Sequence, residues 1–279
     1  MNLISVIVTT YNWPAALTLC LESLFFQQDK NFEIIIADDG SSENNLETAK
    51  GYCTDSPISL SYIHHGDKGF RAGTIRNKAV AICKGEYLLF IDGDCIVLPD
   101  FIGKHRHLAL QGFFVPGNRV LLSQEFTQEV IEKRLALYAK PIGYFILLWL
   151  QKKINRLFGF FYLPLGLLRY VQPNKWQKAM TCNLGIWKSD FLIVNGFDEL
   201  FEGWGYEDSD LVIRLVHAGI KRKEGRFAVP ILHLWHSQND KSNQDINYQR
   251  LMERLNKLDF IIAKKVFPSI LIKADYKSN

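Results

Sequence analysis

The sequence predicts an α/β fold built on an open, mostly parallel sheet flanked by helices. Short apolar, β-branched runs alternate with segments of helical periodicity over roughly the first third of the chain, as a doubly wound sheet requires. Three of the apolar runs end in polar turns, Thr10-Tyr11-Asn12, Asp38-Asp39-Gly40 and Asp92-Gly93-Asp94. The composition, with 279 residues of which 48% are hydrophobic and 22% charged, suits a chain that buries its own core.

The elements of the first half follow from this alternation. Strands are predicted over Leu3 to Thr9, Phe32 to Ala37, Leu60 to Ile63, Tyr87 to Ile91 and Phe113 to Leu122. Helices are predicted over Ala15 to Gln27, Leu46 to Tyr52, Gly73 to Cys83 and Phe101 to Leu110. Ligands of open parallel sheets bind outside the carboxyl ends of the strands, so the three polar turns are expected to converge there.

The chain reads as one elaborated domain, because it contains no internal repeat and no linker rich in Pro, Gly or Ser. We assign residues 1–240 to this domain and residues 241–279 to a C-terminal helical extension and tail. A basic, apolar insertion at about 133–175, predicted to be amphipathic and helical, separates the first half from a second block of motifs.

The overall charge and the cysteines exclude several classes of protein. A formal net charge of +4 is too small to indicate a nucleic-acid partner. Five scattered cysteines suggest neither a disulfide framework nor a zinc cluster. The first residues read as a buried strand rather than an export signal, and no apolar run reaches the ~20 residues that span a bilayer. We therefore expect a cytoplasmic protein.

The insertion is the most unevenly charged part of the sequence. No acidic residue and ten basic ones lie between Lys133 and Ser189. Two strongly apolar runs, Pro141 to Leu150 and Leu157 to Leu168, lie within this region. Cations beside aromatic and aliphatic side chains favour contact with an anionic membrane surface, here the inner face of the cell membrane. A hairpin packed on the core and a dimer interface are the alternatives.

The turn Asp92-Gly93-Asp94 carries the first chemical signal. Its two carboxylates directly follow a buried strand, and hard oxygen ligands on a mobile turn suit Mn2+ or Mg2+, which can also bridge a diphosphate. Turns are rich in Asp for capping reasons as well, so the triplet alone is weak evidence.

Its neighbours strengthen the assignment. Three earlier segments precede this turn in the order found in inverting family 2 glycosyltransferases of the GT-A fold: Ser5 to Asn12, Asp38 to Ser42 and Arg71 to Ala79. The chain resembles members of that family. The resemblance implies a GT-A fold, a UDP-sugar donor and a divalent cation.

A second block resembles the acceptor-side motif of galactosyl- and N-acetylgalactosaminyltransferases. It consists of Asn183 to Ile186, Val194 to Glu199 and Gly203 to Leu211. The combination of both blocks is similar to the transferase domains of bacterial chondroitin polymerase. The resemblance covers roughly Leu3 to Asp100 and Thr181 to Ser237.

The resemblance implies roles for residues that bind the donor nucleotide. Asp39 would accept the N3–H of uracil, and Thr9 and Tyr11 would flank the base. Arg71 and Arg76 would bind the diphosphate as forked donors, aided by the dipole of the helix that starts between them. The alternatives are loop capping for Asp39 and a solvated helix face for the arginines.

The resemblance also implies the groups that act on the acceptor. Inverting transfer needs one carboxylate to take the proton of the attacking hydroxyl, and by resemblance Asp208 is that base while Glu207 binds the acceptor. Trp204 offers an apolar face on which a sugar ring can stack. Acids are also favoured in the first turn of any helix, which is the competing explanation.

In the resembling enzymes, a histidine after the last strand binds the metal. The resemblance therefore implies that one histidine of this chain binds the metal together with Asp94. Two candidates exist, His233 and His236. We favour His236, because it opens a polar run over Ser237 to Asp240 that could close over the nucleotide as a lid. His64 and His65 point apart on a strand and are assigned no role.

These observations predict a metal-dependent, inverting transferase of a hexose or N-acetylhexosamine from a UDP-sugar to a glycan or lipid-linked glycan. Bacterial surface polysaccharide or lipopolysaccharide synthesis is the expected setting. A sugar-phosphate nucleotidyltransferase is the first alternative, but its Gly-rich loop is missing after the first strand, where Thr9 to Pro14 stand. A non-catalytic nucleotide-sugar-binding protein is the second. Cys182 stands where the resembling enzymes often have a small residue, which leaves the donor sugar open.

Overall fold

A computed structural model describes residues 3–42, 45, 47–48, 51, 58–237 and 241–266. The helix expected over Leu46 to Tyr52 falls mostly outside these residues. The same holds for Gln238, Asn239 and Asp240 of the expected lid.

A seven-stranded sheet forms the centre of the molecule and runs in the order β3-β2-β1-β4-β8-β6-β9. Strands β1 to β4 are mutually parallel, while β8 is antiparallel to both of its neighbours. The predicted α/β class with a mostly parallel open sheet is thus confirmed. The strands are β1 (Ile4–Thr10), β2 (Phe32–Asp38), β3 (Leu60–His64), β4 (Tyr87–Asp92), β6 (Phe113–Pro116), β8 (Asn183–Trp187) and β9 (Lys221–Arg222).

Helices cover both faces of this sheet. Successive residues of a strand point to opposite faces, and in the central strands the residues on both faces are apolar. On β1, Val6 and Val8 pack in the cluster that contains Leu17 and Leu21, whereas Ile7 packs on the opposite face with Ile75. The helices are α1 (Pro14–Phe25), α2 (Ala72–Ile82), α3 (Phe101–Leu108), α4 (Gln124–Glu132), α5 (Ile142–Leu150), α6 (Lys188–Ile193), α7 (Glu207–His217) and α8 (Gln244–Leu255).

The register of the parallel strands places the polar turns together. Thr9 lies opposite Asp92 on β4, and Thr10 lies opposite Asp38 on β2. Three strands therefore end at one level, on the same edge of the sheet. The expected convergence of these strand ends follows from this register.

The single strand predicted over Phe113 to Leu122 was wrong. Two strands occupy that stretch, and they belong to different sheets: β6 joins the main sheet, while β7 (Asn118–Leu121) joins a smaller one. Gly117 lies between them and donates its N–H to the carbonyl of Asn183 at 2.9 Å. A Cβ at Gly117 would collide with the Asn183 amide, so the chain passes between the sheets through a gap that only glycine fits.

The smaller sheet has the order β5-β10-β7, with β5 at Cys95–Val97 and β10 at Pro230–His233. Strands β5 and β10 are antiparallel, and Cys95 pairs directly with His233. This pairing holds the chain segment after β10 against the turn that carries Asp94. The two segments are far apart in the sequence, so local patterns could not have predicted the contact.

The insertion contains helix α5 and three short 3₁₀ helices, Leu137–Ala139, Phe158–Phe160 and Gly166–Tyr170. Its inner side packs on the core, since Phe145 and Leu148 are buried in the cluster below the small sheet. Its outer side exposes many large apolar side chains. No helix within the described part of the chain is both long enough and apolar enough to cross a bilayer.

Helix α8 in the C-terminal extension is tied to the domain by buried charges. Arg254 contacts Asp198 at 2.9 Å and Asp210 at 2.5 Å, and Asp210 also contacts Arg214 at 2.8 Å. Asp210 and Arg214 are completely shielded from solvent. The assignment of a separate extension at residues 241–279 stays an interpretation. Within its described part, Leu251 and Arg254 are buried against the domain.

Candidate active site

A cleft of about 480 Å³ opens at the carboxyl ends of the central strands. It is bounded by β1, the turn after β4, the start of α7 and the segment after β10. Ten of the side chains singled out from the sequence line it: Thr9, Tyr11, Asp39, Arg76, Asp92, Asp94, Trp204, Glu207, Asp208 and His236. Arg71, which was also singled out from the sequence, does not belong to the described residues that line this cleft.

Arg76 lies on the floor of the cleft, on the first turns of α2, with 4% of its surface exposed. Its Nε donates to the Thr9 hydroxyl at 2.9 Å and one terminal nitrogen donates to Asp92 at 3.0 Å. The other terminal nitrogen lies 3.5 Å from Asp208 and 3.7 Å from Glu207, without a hydrogen bond of its own. One buried cation therefore links the turn after β4 to the start of α7.

The electrostatics of Arg76 follow from these contacts. Burial alone would weaken its charge, but the carboxylates of Asp92, Asp208 and Glu207 outweigh that effect and raise its pKa. Arg76 is thus a permanent positive charge at the point where the predicted donor and acceptor sites meet.

Glu207 and Asp208 are the first two residues of α7. The chain reaches them through a tight turn in which Gly203, Gly205 and Tyr206 all have positive φ. Such a backbone is easy for glycine and unusual for tyrosine, so the turn is strained at the residue before the helix. It delivers both carboxylates into the cleft from a rigid helix start.

The two carboxylates have different surroundings. Asp208 accepts hydrogen bonds from the Thr181 hydroxyl at 2.6 Å and the Thr181 backbone N–H at 3.0 Å, which orients both of its oxygens. Glu207 is 8% exposed, and Arg76 is its nearest cation. Burial, reinforced by the charge of Asp208, raises the pKa of Glu207 to about 8. At neutral pH, Glu207 is therefore mostly a neutral carboxylic acid that can donate a hydrogen bond.

Three groups that can bind a cation meet at the other side of the cleft. One oxygen of Asp94 lies 3.4 Å from His236 Nε2 and 3.6 Å from His233 Nε2. Each ring places its Nδ1 on a backbone carbonyl, of Leu234 for His233 and of Ser237 for His236. A carbonyl oxygen can only accept, so Nδ1 is the donor of each ring, and each Nε2 is directed toward Asp94.

The arrangement keeps both histidines as candidate ligands. Asp94, Cys95 and His233 form a group of three potential metal ligands whose donor atoms lie within 4.8 Å of one another. His236 is more exposed than His233, and its Nε2 lies slightly nearer to Asp94, at 3.4 Å against 3.6 Å. Our preference for His236 over His233 stays a prediction.

The end of the cleft near β1 and β2 contains the expected base-binding residues. Asp39 is buried, and its oxygens accept from the Arg71 backbone N–H at 2.8 Å and contact His65 Nε2 at 2.6 Å. Tyr11 is 51% exposed, and its hydroxyl donates to Asp67 at 2.9 Å, which raises the pKa of Tyr11. The open aromatic face of Tyr11 and the fixed carboxylate of Asp39 thus border the same space.

Two residues beside this end of the cleft, Asp38 and Arg71, use their side chains for contacts within the fold. Asp38 accepts hydrogen bonds from the backbone N–H groups of Gly40 and Ser41, which is the loop capping considered as the alternative for this turn. The guanidinium of Arg71 turns away and donates to the Gly66 carbonyl at 2.6 Å. In this structure, Arg71 contributes to the site through its backbone N–H on Asp39.

Three residues of the site were missed by sequence reasoning. His65, to which no role was given, contacts Asp39; it is the first residue after β3, a position where ligands gather in parallel sheets. Thr181 orients Asp208, and Arg119 lines the cleft from β7. No periodicity or spacing marks Thr181 or Arg119, because tertiary packing alone brings them to the cleft.

Two family models match adjoining parts of this chain. The model of "Glycosyl transferase family 2" matches residues 5–169, and the model of the "N-terminal domain of galactosyltransferase" matches residues 167–237. Among solved structures, S. aureus TarS in complex with UDP has a TM-score of 0.58 at 16% identity. The match covers 90% of this chain and 64% of the solved chain, residues 1–349 of TarS, and at that identity it shows the fold, which is GT-A.

Curated relatives carry transferase names. Validoxylamine A glucosyltransferase of Streptomyces hygroscopicus is 29% identical over 78% of this chain and 52% of its own length. The uncharacterized glycosyltransferase YfnE of Bacillus subtilis is 28% identical over 87% of this chain and 67% of its own length. Hyaluronan synthase of Pasteurella multocida is 32% identical over 38% of this chain and 11% of its own length.

The chain spans about half the length of the first of these relatives. The family match nevertheless covers more than half of this chain and includes the turn after β4. Transferases of this family and fold generally use a divalent metal ion. The predicted resemblance, fold and enzyme class are confirmed, and the chain belongs to glycosyltransferase family 2.

Proposed function

We propose that this protein is a metal-dependent, inverting glycosyltransferase that moves a hexose or an N-acetylhexosamine from a UDP-sugar to a sugar hydroxyl. The observation that carries this proposal is the position of Arg76 between two groups of carboxylates. It lies 3.0 Å from Asp92 on the predicted donor side and 3.5 Å from Asp208 on the predicted acceptor side. Donor and acceptor groups thus belong to one cleft.

Asp208 is the proposed catalytic base. The acceptor hydroxyl oxygen forms a bond to the anomeric carbon on the face opposite the leaving diphosphate. Its proton passes to the Asp208 carboxylate, and the bond from the anomeric carbon to the diphosphate oxygen breaks to release UDP. The two hydrogen bonds from Thr181 hold the base in one orientation, which is what positioning for this transfer requires.

Glu207 and Trp204 would bind the acceptor. A neutral Glu207 offers both a donor and an acceptor for a sugar hydroxyl, and it adds no negative charge next to the base. The half-buried ring of Trp204 lines the same cleft and can stack on the sugar, although Lys241 Nζ lies 5.5 Å from its centre on one side.

Asp94 and His236 would hold the divalent cation, with His233 as the other candidate. Carboxylate and imidazole together suit Mn2+, whereas a site for Mg2+ is more often built from oxygen alone. When bound, such a cation stabilises negative charge on the departing diphosphate. Arg76 adds a fixed positive charge beside it, so no protein acid has to protonate the leaving group.

The nucleotide would lie at the β1–β2 end of the cleft. Asp39 keeps free lone pairs for the uracil N3–H, while its contact with His65 prevents it from turning away. Thr9 and Tyr11 would flank the base. Arg71 could bind the diphosphate only if its guanidinium left the Gly66 carbonyl.

We further propose a bacterial setting: synthesis of surface polysaccharide or lipopolysaccharide on a glycan or lipid-linked glycan, at the inner face of the cell membrane. The insertion supports this, because its outer side combines basic residues with exposed apolar ones. Leu150, Phe158, Leu167, Leu168 and Val171 are each at least 65% exposed. Such a surface suits peripheral binding to anionic lipid.

A screen of UDP-sugars for Mn2+-dependent UDP release tests the activity. Asp208→Asn should lower UDP release by roughly 10²–10⁴-fold, the usual contribution of a general base, with UDP affinity nearly unchanged. Asp259→Asn, which changes an exposed carboxylate outside the cleft, is the matched control. Full turnover by Asp208→Asn would remove the base assignment. Pyrophosphate release from UTP and a sugar phosphate would favour the nucleotidyltransferase alternative.

A further inference from the structure

A second cavity of about 720 Å³ adjoins the cleft. Three residues line both spaces: Arg119, Met180 and Cys182. The two spaces are therefore direct neighbours, and a ligand longer than one sugar could contact residues of both. We call it the basic cavity, after the six cationic side chains in its lining: Arg119, Arg156, Lys175, Lys178, Arg222 and Arg226.

The charge of the basic cavity is strongly unbalanced. Its only acidic lining residue among those the structure describes is Glu224, which is already bound by Arg222 at 3.1 Å and Arg226 at 3.5 Å. The other four cations make no salt bridge to any described residue. Like charges gathered in one concave space repel each other, so an arrangement of this kind favours a bound anion.

Part of this charge is built into the wall and cannot move to solvent. Arg222 is 6% exposed and donates to the carbonyls of Lys175 at 3.2 Å and Gln177 at 3.1 Å. Its buried Nε has no hydrogen-bond partner. A buried guanidinium with an unused donor is costly, unless a ligand or water satisfies it.

The insertion supplies the opposite wall. Trp149, Arg156 and Phe158 line the basic cavity, and all three are exposed. The cavity therefore lies between the catalytic cleft and the apolar outer side of the insertion. Arg156, Lys175 and Lys178 are three of the ten basic residues in the acid-free stretch from Lys133 to Ser189.

We propose that the basic cavity binds the phosphate groups of the acceptor, so that the acceptor is a phosphorylated glycan with its reactive sugar at Asp208. This inference rests on the proposed function. One carboxylate could not balance a net charge of this size, whereas a diphosphate or a repeated phosphodiester could. Arginine matches phosphate oxygens with forked donors, and lysines add point charges. A free sugar phosphate and a lipid-linked one share this chemistry.

Binding of small alkyl and sugar probes to the protein saturated with UDP and Mn2+ tests the proposal. Octyl phosphate and octyl β-glucoside have the same tail but different heads, and glucose 1-phosphate has the phosphate without the tail. By calorimetry we expect octyl phosphate to bind at least about tenfold more tightly than octyl glucoside. If glucose 1-phosphate matches octyl phosphate, the acceptor is soluble; if only the alkyl ester binds, it is lipid-linked.

The double variant Arg156→Glu, Lys178→Glu should weaken octyl phosphate binding at least about tenfold and affect octyl glucoside by less than about twofold. Both side chains are exposed and make no salt bridge to described residues, so the fold should tolerate the change. Lys84→Glu with Lys257→Glu, two exposed lysines outside both cavities, makes the same change in net charge and is the matched control.

Equal binding of the two octyl probes would overturn the proposal, as would an affinity for octyl phosphate that both double variants change alike. UDP binding in the same samples is a separate measurement. Its absence in the unmodified protein would refute the proposed function, while the phosphate probes, applied without UDP, would still decide the role of the basic cavity.

Discussion

Replacing Glu207 with Gln tests the division of roles between the two carboxylates of the cleft. Burial raises the pKa of Glu207 to about 8, from an ordinary value of 4.5. Gln is a neutral isostere that keeps one donor and one acceptor, so it imitates the protonated acid. If Glu207 binds the acceptor in its neutral form, Glu207→Gln should keep activity within about tenfold of the unmodified protein.

The pH profile gives the sharper result. Above pH 8 the unmodified protein should lose acceptor-dependent kcat/KM by roughly tenfold per pH unit, because Glu207 ionises there. Glu207→Gln should lack this alkaline loss. Were Glu207 the base, activity would instead rise through pH 8, and Glu207→Gln would be slower by roughly 10²–10⁴-fold at every pH. That pattern would refute our reasoning.

The same shift makes a prediction about stability. Glu207 is protonated in the folded protein up to about pH 8, whereas the unfolded chain loses this proton near pH 4.5. The contribution of protonated Glu207 to the free energy of unfolding is therefore fully present below pH 4.5, and it is lost as the pH rises from 4.5 to 8. A shift of this size corresponds to a loss on the order of 5 kcal/mol. We expect urea denaturation to give similar free energies of unfolding for Glu207→Gln and the unmodified protein at pH 5. At pH 9 the free energy of unfolding of Glu207→Gln should be higher by several kcal/mol.

The remaining predictions concern the metal site, the core and the insertion. Asp94→Ala should raise the Mn2+ concentration for half-maximal UDP release by at least about tenfold, and an unaltered Mn2+ dependence would contradict the proposed ligand. Asp210→Ala should lower the free energy of unfolding, measured in urea, by about 3–5 kcal/mol, because it leaves Arg214 and Arg254 buried without this partner. The surface control Asp259→Ala should lower it by less than about 0.5 kcal/mol. Leu167→Asp with Leu168→Asp should reduce flotation with anionic vesicles at least about tenfold, unlike Leu258→Asp, which changes an equally exposed leucine outside the insertion.

Much of the first half of the fold could be predicted because its signals are local. The strand over Leu3 to Thr9 and the helix over Gly73 to Cys83 differ from the observed elements by one residue at each end. Apolar periodicity reports which side of an element is buried, and that requirement acts on neighbouring residues. The strand over Phe113 to Leu122 failed because two short apolar runs on either side of Gly117 were joined into one strand. At Gly117 a contact with a distant residue, Asn183, redirects the chain.

The candidate site shows the same division. The carboxylates at Asp92, Asp94 and Asp208 could be recognised from their types, their order and their places after a strand or before a helix. Their distances could not. Asp94 meets two histidines because β5 pairs with β10, and Asp208 is oriented by Thr181, which is 27 residues away in the chain.

Residue types and their order along the chain were enough to indicate the class of chemistry: which residues could bind a cation, take a proton or contact a nucleotide, and that three turns would meet at one edge of the sheet. Folding was needed to show that Arg76 joins the two carboxylate groups, that Glu207 is buried enough to stay protonated, and that cations of the insertion line a cavity beside the cleft. The difference lies in the range over which the interactions act. Propensity and periodicity act between neighbours along the chain, whereas burial, charge pairing and cavity shape depend on residues that only folding brings within a few ångströms.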